Sequence, residues 1–167
     1  MALSFDRTAE TLLRHVITRS RGRRVLFADA AARAAASRRI AGLCERHRLH
    51  CLVFSVTDRC LHLVVRGTAA ASALAAEEVG VPLRHGHSLS TIVNADLYLL
   101  EVARHALLAP VRAGLVRRAV DWPHSSARES CGLCPAPEWL DPAPLHDLLG
   151  PKDGQGALRF RRYLESG

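Results

Sequence analysis

Two apolar segments separated by only three residues constrain the fold of this chain more than any other feature. HCLVFSV (50–56) and CLHLVVR (60–66) are both mainly apolar, and each contains two of the β-branched valines that favour strands. Thr57, Asp58 and Arg59 supply the turn between them. Because so short a connection joins antiparallel neighbours, the two segments are predicted to form a β-hairpin.

Strand and helix patterns also alternate before and after this hairpin. The remaining elements are predicted as a strand over 14–18, a helix from Asp29 to about His47, a helix over about 68–79, a strand around 87–93 and a helix over 95–108. Asp29 is placed to cap the first helix, and Pro110 ends the last one. This order fits an α+β, ferredoxin-like fold, in which a four-stranded antiparallel sheet carries helices on one face.

The length and composition indicate a single folded unit. With 167 residues, of which 49% are apolar, the chain is large enough to bury its own core. Residues 1–120 are predicted to form the α+β domain. Residues 121–167 are rich in proline and glycine and lack a clear period, so we expect an irregular extension that packs on the same domain and has a short helix near its end.

Three features of the sequence bear on the compartment of the protein. The first ten residues, MALSFDRTAE, carry acidic groups and no apolar core, unlike a signal peptide. No apolar run approaches the roughly 20 residues that span a bilayer. The five cysteines are an odd number, which argues against a disulfide framework. We therefore expect a cytoplasmic protein without a membrane partner.

The charge of the chain favours a polyanionic partner. The net charge is +7 and the isoelectric point is about 9.9, which ranks nucleic acid ahead of a membrane surface. Lys152 is the only lysine, so nearly all of the positive charge comes from arginine. Biased codon usage is the alternative explanation for this excess of arginine.

Several longer segments follow one another in an order and at spacings that chance does not readily produce. They are HVITRSRGRRVLF (15–27), LHCLVFSVTDRCLHLVVRG (49–67), DLYLLEVARHALLAPVRAGLV (96–116), DWPHSSAR (121–128) and PEWLD (137–141). Together they resemble the single-tyrosine HUH transposases, in particular the REP-associated tyrosine transposase group. The resemblance extends over about residues 14–141 and implies a partner that is single-stranded or hairpin DNA.

The resemblance also implies a particular chemistry. The family cuts single-stranded DNA with a tyrosine that becomes joined to the 5′ end, while two histidines on one strand and a third side chain hold Mg²⁺ or Mn²⁺. His62 matches the second histidine, whereas Cys60 replaces the first and Arg59 replaces an asparagine. A thiolate suits Zn²⁺ better than Mg²⁺. In the alternative interpretation, Cys60 is a half-buried strand residue and His62 is its polar neighbour.

The nucleophilic tyrosine of the family has no counterpart at the matching place in this chain. Only about 20 residues separate Gly67 from Ser88, and none of them is a tyrosine. Tyr98 matches a tyrosine that packs in a later helix of the family, and Tyr163 lies in the C-terminal extension. No catalytic residue is therefore assigned, and strand cleavage is predicted to be lost or weak.

DNA binding does not require the nucleophile, because arginines that contact phosphates supply most non-specific affinity. The candidate contacts are Arg19, Arg21, Arg23 and Arg24 in the loop after the first strand, Arg59 in the hairpin turn and Arg112 after the last core helix. The loop cluster is the strongest candidate, since the matching loop of the family carries basic residues beside the sheet. For any single arginine, the alternative is an exposed side chain that only solvates the surface.

The motif CGLC (131–134) has the spacing of a zinc knuckle or a redox pair. With His124 and His146 it allows a four-ligand zinc site to be drawn, although the spacing of these histidines is not that of a zinc finger. Zinc thus has two candidate positions, Cys60 with His62 and Cys131 with Cys134. Otherwise no cofactor is expected unless the chain is active with Mg²⁺ or Mn²⁺.

A second group of histidines lies in the segment that replaces the tyrosine helix of the family. His85 and His87, within VPLRHGHS (81–88), come close to His62 if this segment folds over the sheet. A histidine-rich metal site is the resulting hypothesis, and ordinary surface histidines are the alternative.

Three hypotheses for the function remain open at this point. The favoured one is a DNA-binding relative of these transposases with little or no strand cleavage. The second is an active metal-dependent transposase or single-strand endonuclease that uses Cys60 and His62 with a relocated nucleophile. The third is a degenerate copy without function. The sequence indicates neither the DNA that is recognised nor the oligomeric state.

Overall fold

The computed structural model describes residues 11–80 and 86–166, with the backbone alone at 95–97. The strands are β1 (Thr11–Ser20), β2 (His50–Val56), β3 (Cys60–Thr68) and β4 (Gly86–Val93). The helices are α1 (Ala30–His47), α2 (Ala69–Gly80), α3 (Ala95–Leu107), α4 (Ala109–Arg112), α5 (Ala127–Ser130), α6 (Ala143–Asp147) and α7 (Gly156–Glu165), with a 3₁₀ turn at Ala119–Asp121. No helix within these ranges is long and apolar enough to cross a membrane.

The four strands form one antiparallel sheet in the order β2-β3-β1-β4. β3 and β1 are therefore central, and β2 and β4 lie at the edges. With α1 between β1 and β2 and α2 between β3 and β4, this arrangement confirms the predicted α+β, ferredoxin-like class.

One face of the sheet packs against α1 and α2. Because side chains alternate along a strand, Leu61, Leu63 and Val65 of β3 point together into this layer. They share a cluster there with Ile40 and Leu43 of α1, and none of these five residues is more than 2% exposed. Removal of apolar surface from water contributes about 25 cal/mol per Å², so this layer is a large source of stability.

The opposite face of the sheet is also covered by helices. Val64 of β3 is fully buried in a cluster with Leu99 and Ala103 of α3 and Phe160 of α7. The prediction of helices on one face therefore holds for α1 and α2, whereas α3 and the C-terminal extension lie on the other. The physical reason is that β3 is apolar at successive positions, as a strand buried on both faces requires.

Local interactions determine where α1 begins and ends. Asp29 has extended backbone, and its carboxylate accepts a hydrogen bond from the backbone N–H of Ala32 at 2.7 Å. At the other end, Arg48 adopts the left-handed conformation with φ of 52°, which turns the chain so that the N–H of Leu49 donates to the carbonyl of Cys44 at 2.9 Å. The Asp29 cap lies where the sequence predicts it, and such a cap stabilises a helix by about 1 kcal/mol.

The C-terminal extension follows the outer edge of β2. The N–H of Cys51 donates to the carbonyl of Trp139 at 2.9 Å, and the N–H of Asp141 donates to the carbonyl of Cys51 at 2.8 Å. Further along the strand, the N–H of Val56 donates to the carbonyl of His124 at 2.9 Å. The extension therefore satisfies backbone groups that an edge strand would otherwise leave unpaired.

Candidate nucleic-acid interface

A cleft lies at the end of the sheet where β1 ends and β3 begins. The antiparallel register places Arg19 opposite Cys60, and Ile17 opposite His62. The cleft has a volume of about 320 Å³, and α4 contributes Ala109 and Arg112 to its lining. Five residues that the sequence singles out line it: Arg19, Arg59, Cys60, His62 and Arg112.

Thr57 fixes the hairpin turn beside the cleft. Its backbone N–H donates to the carbonyl of Cys60 at 2.8 Å, and its hydroxyl oxygen accepts from the N–H of Cys60 at 3.0 Å. Thr57 is only 2% exposed. The start of β3 is thereby held in place, and with it the positions of Cys60 and His62.

The basic loop after β1 is tied to this turn at both ends. The N–H of Ser20 donates to the carbonyl of Arg59 at 2.9 Å, and the N–H of Leu26 donates to the carbonyl of Asp58 at 2.8 Å. The guanidinium of Arg59 also donates to a backbone carbonyl of the loop. Residues 21–25 are exposed next to the cleft as a result.

The predicted DNA-contacting arginines consequently lie on one surface. They are Arg19, Arg21, Arg23, Arg24, Arg59 and Arg112, all of them exposed. Within the described parts of the chain, no ion pair involves Arg19, Arg59 or Arg112. We call the six arginines the basic surface; the positive charge of Arg19, Arg59 and Arg112 is available to an anionic partner.

Two histidines without a predicted role, His15 and His105, lie close to His62. The Nε2 atom of His15 is 3.2 Å from Nδ1 of His62, and the two rings stack with their centroids 5.4 Å apart. The ring of His105, on α3, meets His62 edge-on at 5.3 Å between centroids. Strand alternation could place His15 and His62 on the same face, but the register that pairs β1 with β3 is needed to bring them together.

Burial and nearby positive charge keep the two inner histidines neutral. Burial, reinforced by His105 and Arg19, lowers the pKa of His15 to about 4. Burial, reinforced by His15 and His105, lowers the pKa of His62 to about 3. At neutral pH one ring therefore donates and the other accepts the hydrogen bond between them, which occupies Nδ1 of His62.

The cleft does not fit the Mg²⁺ or Mn²⁺ that the family resemblance implies. These ions prefer oxygen ligands, and Asp58 is the one carboxylate residue in the lining, among three arginines that repel a dication. Burial raises the pKa of the Cys60 thiol against the opposing effect of Arg19, so the thiol is protonated at neutral pH. Across the described ranges, no group of three or more His, Cys, Asp or Glu side chains is arranged to hold a metal ion.

The structure does not assemble the four-ligand zinc site drawn from CGLC (131–134). Cys131 is buried in the core, and this burial raises the pKa of its thiol to about 11. His146 is hydrogen-bonded through Nε2 to the carbonyl of Ser130 at 2.7 Å, while the ring of His124 packs edge-on against an indole ring. A zinc ion held by only two of these residues stays a prediction. The two candidate pairs are Cys60 with His62 and Cys131 with Cys134.

The predicted group of His62, His85 and His87 is only partly visible. His87 is exposed on β4 and lies opposite Arg19 in the neighbouring strand, at the edge of the basic surface. His85 lies outside the described residues. This group therefore stays a prediction.

Neither of the two tyrosines of the chain lines the cleft. Tyr98 is 57% exposed on α3. Tyr163 packs against Phe160, and the guanidinium of Arg104 lies over its ring at 5.5 Å. The tyrosine nucleophile of the family thus has no counterpart beside Cys60 and His62.

Comparison with known proteins agrees with this architecture. A solved structure of a REP-associated tyrosine transposase bound to a REP hairpin matches the chain with a TM-score of 0.59 and 11% sequence identity, covering 82% of this chain and 90% of that one. At so low an identity the likeness establishes the fold and a remote structural relationship. No family model and no curated protein matches the chain.

Proposed function

We propose that this chain binds single-stranded or hairpin DNA through the basic surface and holds it without cutting it. The observation that carries the proposal is the convergence of Arg19, Arg59 and Arg112 at one end of the sheet, where no described carboxylate pairs with them. Arginines in this arrangement contact phosphates and release counterions from the DNA, which favours binding.

The choice of DNA over other polyanions rests on two further observations. A solved structure with a similar fold is that of a REP-associated tyrosine transposase bound to a REP hairpin. The segments 96–116 and 121–128, the most specific ones, resemble the same group of transposases. The net charge of +7 is consistent with binding to single-stranded DNA and to hairpin DNA.

The absence of cleavage in the proposal follows from the chemistry around Cys60. Phosphodiester cleavage of the family type requires a tyrosine nucleophile and a divalent cation. Tyr98 and Tyr163 both lie away from the cleft, and its protonated thiol and its arginines disfavour the cation. The DNA is therefore bound and released unchanged.

A salt titration of DNA binding tests the first part of the proposal. The probe is a fluorescent DNA hairpin with a single-stranded flank, and the variant is Arg21→Ala combined with Arg23→Ala. We expect weaker binding and a dependence of log K on log salt that is flatter by about 1 to 2 units. The matched control is Arg38→Ala with Arg128→Ala, which removes two exposed arginines from α1 and α5. Equal affinities for the two double variants would exclude the loop from the interface.

A denaturing gel tests the second part of the proposal. The protein is incubated with the labelled hairpin in the presence of Mg²⁺ or Mn²⁺, and the products are separated under conditions that disrupt non-covalent complexes. We expect intact DNA and no protein–DNA adduct, alongside a mobility shift on a native gel. A covalent adduct would show instead that the chain is an active transposase or endonuclease.

A further inference from the structure

We infer that the cleft between the β2–β3 turn and α4 binds a single phosphate group directly, and that arginines take the place a divalent cation has in the family the chain resembles. Because it assigns this phosphate to a bound DNA strand, the inference rests on the proposed function. It adds that binding needs no metal and that one phosphate has a defined position on the protein.

The geometry of the cleft suits such a ligand. Arg19 on β1, Arg59 in the hairpin turn and Arg112 at the end of α4 approach it from three separate elements. Its volume of about 320 Å³ is well above the roughly 10 to 15 Å³ that a single water molecule needs on the same measure. A phosphate group and part of the attached sugar fit into this space.

The positive charge in the cleft has no internal counter-charge sufficient to neutralise it. Asp58 is the one carboxylate residue among the lining residues, and it forms no ion pair with the three arginines. Burial lowers the pKa of Arg112 against an opposing effect of Cys60, and the nearby charge of Arg19 lowers it further, which indicates that the two cations are close enough to repel each other. A bound anion relieves that repulsion.

Two of the guanidinium groups are already oriented by the protein. Arg112 donates to the carbonyl of His105 at 2.6 Å. Arg59 donates to the carbonyl of Gly22 and, at 3.4 Å, to Oγ of Ser20. Each guanidinium has five N–H donors, so donors remain for a ligand, and a side chain that is already held loses less entropy on binding. The planar fork of arginine matches the oxygens of a phosphate.

The same groups make a metal ion the poorer occupant. A dication has to enter among three guanidinium groups, which repel it. The ligands available to it there are poor, because the Cys60 thiol is protonated and Nδ1 of His62 is hydrogen-bonded to His15. A phosphate meets complementary charge in the same space. The replacement of the first histidine of the family motif by Cys60 therefore accompanies a change in the ligand, from a cation to an anion.

Nuclear magnetic resonance of the arginine Nε–H groups tests the site directly. The probes are inorganic phosphate and the dinucleotide dTpT, which carries one phosphodiester and no terminal phosphate. We expect saturable shifts of the Arg19 and Arg112 signals, assigned through single Gln variants. A response to dTpT identifies the DNA backbone as the source of the phosphate, and a response to inorganic phosphate alone identifies a free-phosphate site. No response to either probe would overturn the inference.

Hairpin affinity provides the second measurement. Arg19→Gln with Arg112→Gln is expected to weaken binding about tenfold or more, since two charged hydrogen-bonding groups are lost. Arg19→Lys with Arg112→Lys keeps the charge but not the fork and is expected to fall between this variant and the wild type. The control, Arg38→Gln with Arg128→Gln, removes the same charge elsewhere. Thermal unfolding midpoints equal to that of the wild type confirm that each variant is folded.

A third experiment tests whether hairpin binding needs a metal ion, by comparing the chelator EDTA with added Mg²⁺ and Mn²⁺. Hairpin affinity is expected to be the same in EDTA and in Mg²⁺. Mn²⁺ is paramagnetic and broadens the signals of residues close to it. Selective broadening at Cys60 and His62, together with a loss of affinity in EDTA, would show a metal site and overturn the inference.

The failures of the two proposals are distinguishable. If the hairpin binds normally while phosphate and dTpT leave the arginine signals unchanged, the phosphate site is excluded and DNA binding stands. If the hairpin does not bind but the Arg19 and Arg112 signals still move with phosphate, the site stands and the DNA function is excluded.

Discussion

The two faces of β3 differ in what they bury and in what they leave open. Towards α1 and α2, the strand presents Leu61 and Leu63 to a closed apolar layer. On the other face Val64 packs under α3, but His62 and Cys60 line the cleft. Stability requires a face from which water is excluded, whereas a ligand site requires an opening and charge. One strand meets both requirements because alternate residues point to opposite faces.

The end of α3 accounts for the open part of the second face. α3 ends at Leu107, and Pro110 lies in the first turn of α4, where it lacks the N–H needed to continue a helix. The helical backbone is therefore interrupted at Leu108 beside the cleft, and the short helix that follows contributes Arg112 to the lining. We expect substitutions on the α1 and α2 face to change stability, and substitutions in the cleft to change binding.

Leu63→Ala has the largest expected effect. Leu63 is 0% exposed in the apolar layer, so its truncation leaves a cavity and should reduce the free energy of unfolding by about 2 to 5 kcal/mol. Urea unfolding measures the change, and DNA affinity of the folded fraction should stay constant. The control is Leu74→Ala, which should have little effect because Leu74 of α2 is 49% exposed. Equal losses in both variants would contradict the assignment of this face.

Acidification should have the next largest effect, and it acts on the cleft face. The pKa values of His15 (about 4) and His62 (about 3) in the folded state lie below the ordinary value of 6.5, so the unfolded state binds protons first. Their contribution to stability is present above pH 6.5 and is lost as the pH falls towards the folded values. Between pH 7 and pH 5 we expect a loss of about 2 kcal/mol per histidine, measured by urea unfolding.

Two histidine variants separate this effect from general acid sensitivity. His62→Gln should reduce the slope of stability against pH, because it removes one of the two buried histidines whose pKa values are lowered most. His87→Gln removes an exposed histidine of β4 and should keep the full slope. If both variants lose the same part of the slope, the buried pair is not its source.

Asp29→Ala should lower stability by about 1 kcal/mol, since it removes the side chain that caps α1. DNA binding is expected to be unchanged, because the cap belongs to the face opposite the cleft. Thermal unfolding and the hairpin titration check the two parts. Asp121→Ala, at an exposed position, is the matched control, and a loss as large as that of Asp29→Ala would refute the role of the cap.

The smallest effect is expected for Cys60→His, which should leave the DNA uncut, as the wild type does. It recreates the His–Leu–His pattern of the family on β3, but no tyrosine lines the cleft. We therefore expect no DNA cleavage and no covalent adduct with Mn²⁺ on the denaturing gel. Adduct formation by this variant would mean that a nucleophile reaches the cleft and that Cys60 alone had suppressed the activity.

The parts of the fold that are predictable from the sequence depend on residues close together in the chain. The β2–β3 hairpin follows from its three-residue turn, and Asp29 caps α1 as predicted. The predicted first strand, 14–18, is shorter than β1, because its outer residues are in the sheet through pairing with Thr68 and Gly86. Strand ends thus depend on distant partners, which local patterns do not reveal.

The candidate site also has one part that is predictable from local sequence and one part that is not. Alternation along β3 predicts that Cys60 and His62 share a face, and the structure places both in the cleft. The neighbours of His62 are not predictable by that route. His15 lies 47 positions earlier in the chain and is brought beside His62 by the register of β1 against β3, while His105 lies on a helix.

The sequence by itself determines the order of the elements, the positive charge and the lack of a tyrosine between Gly67 and Ser88, because each is a property of residue types and local spacing. Only the tertiary structure decides that Arg19, Arg59 and Arg112 meet around one cleft and that α3 covers the second face of the sheet only in part. Both outcomes depend on sheet register and helix packing, which sum many weak contacts between residues far apart in the chain.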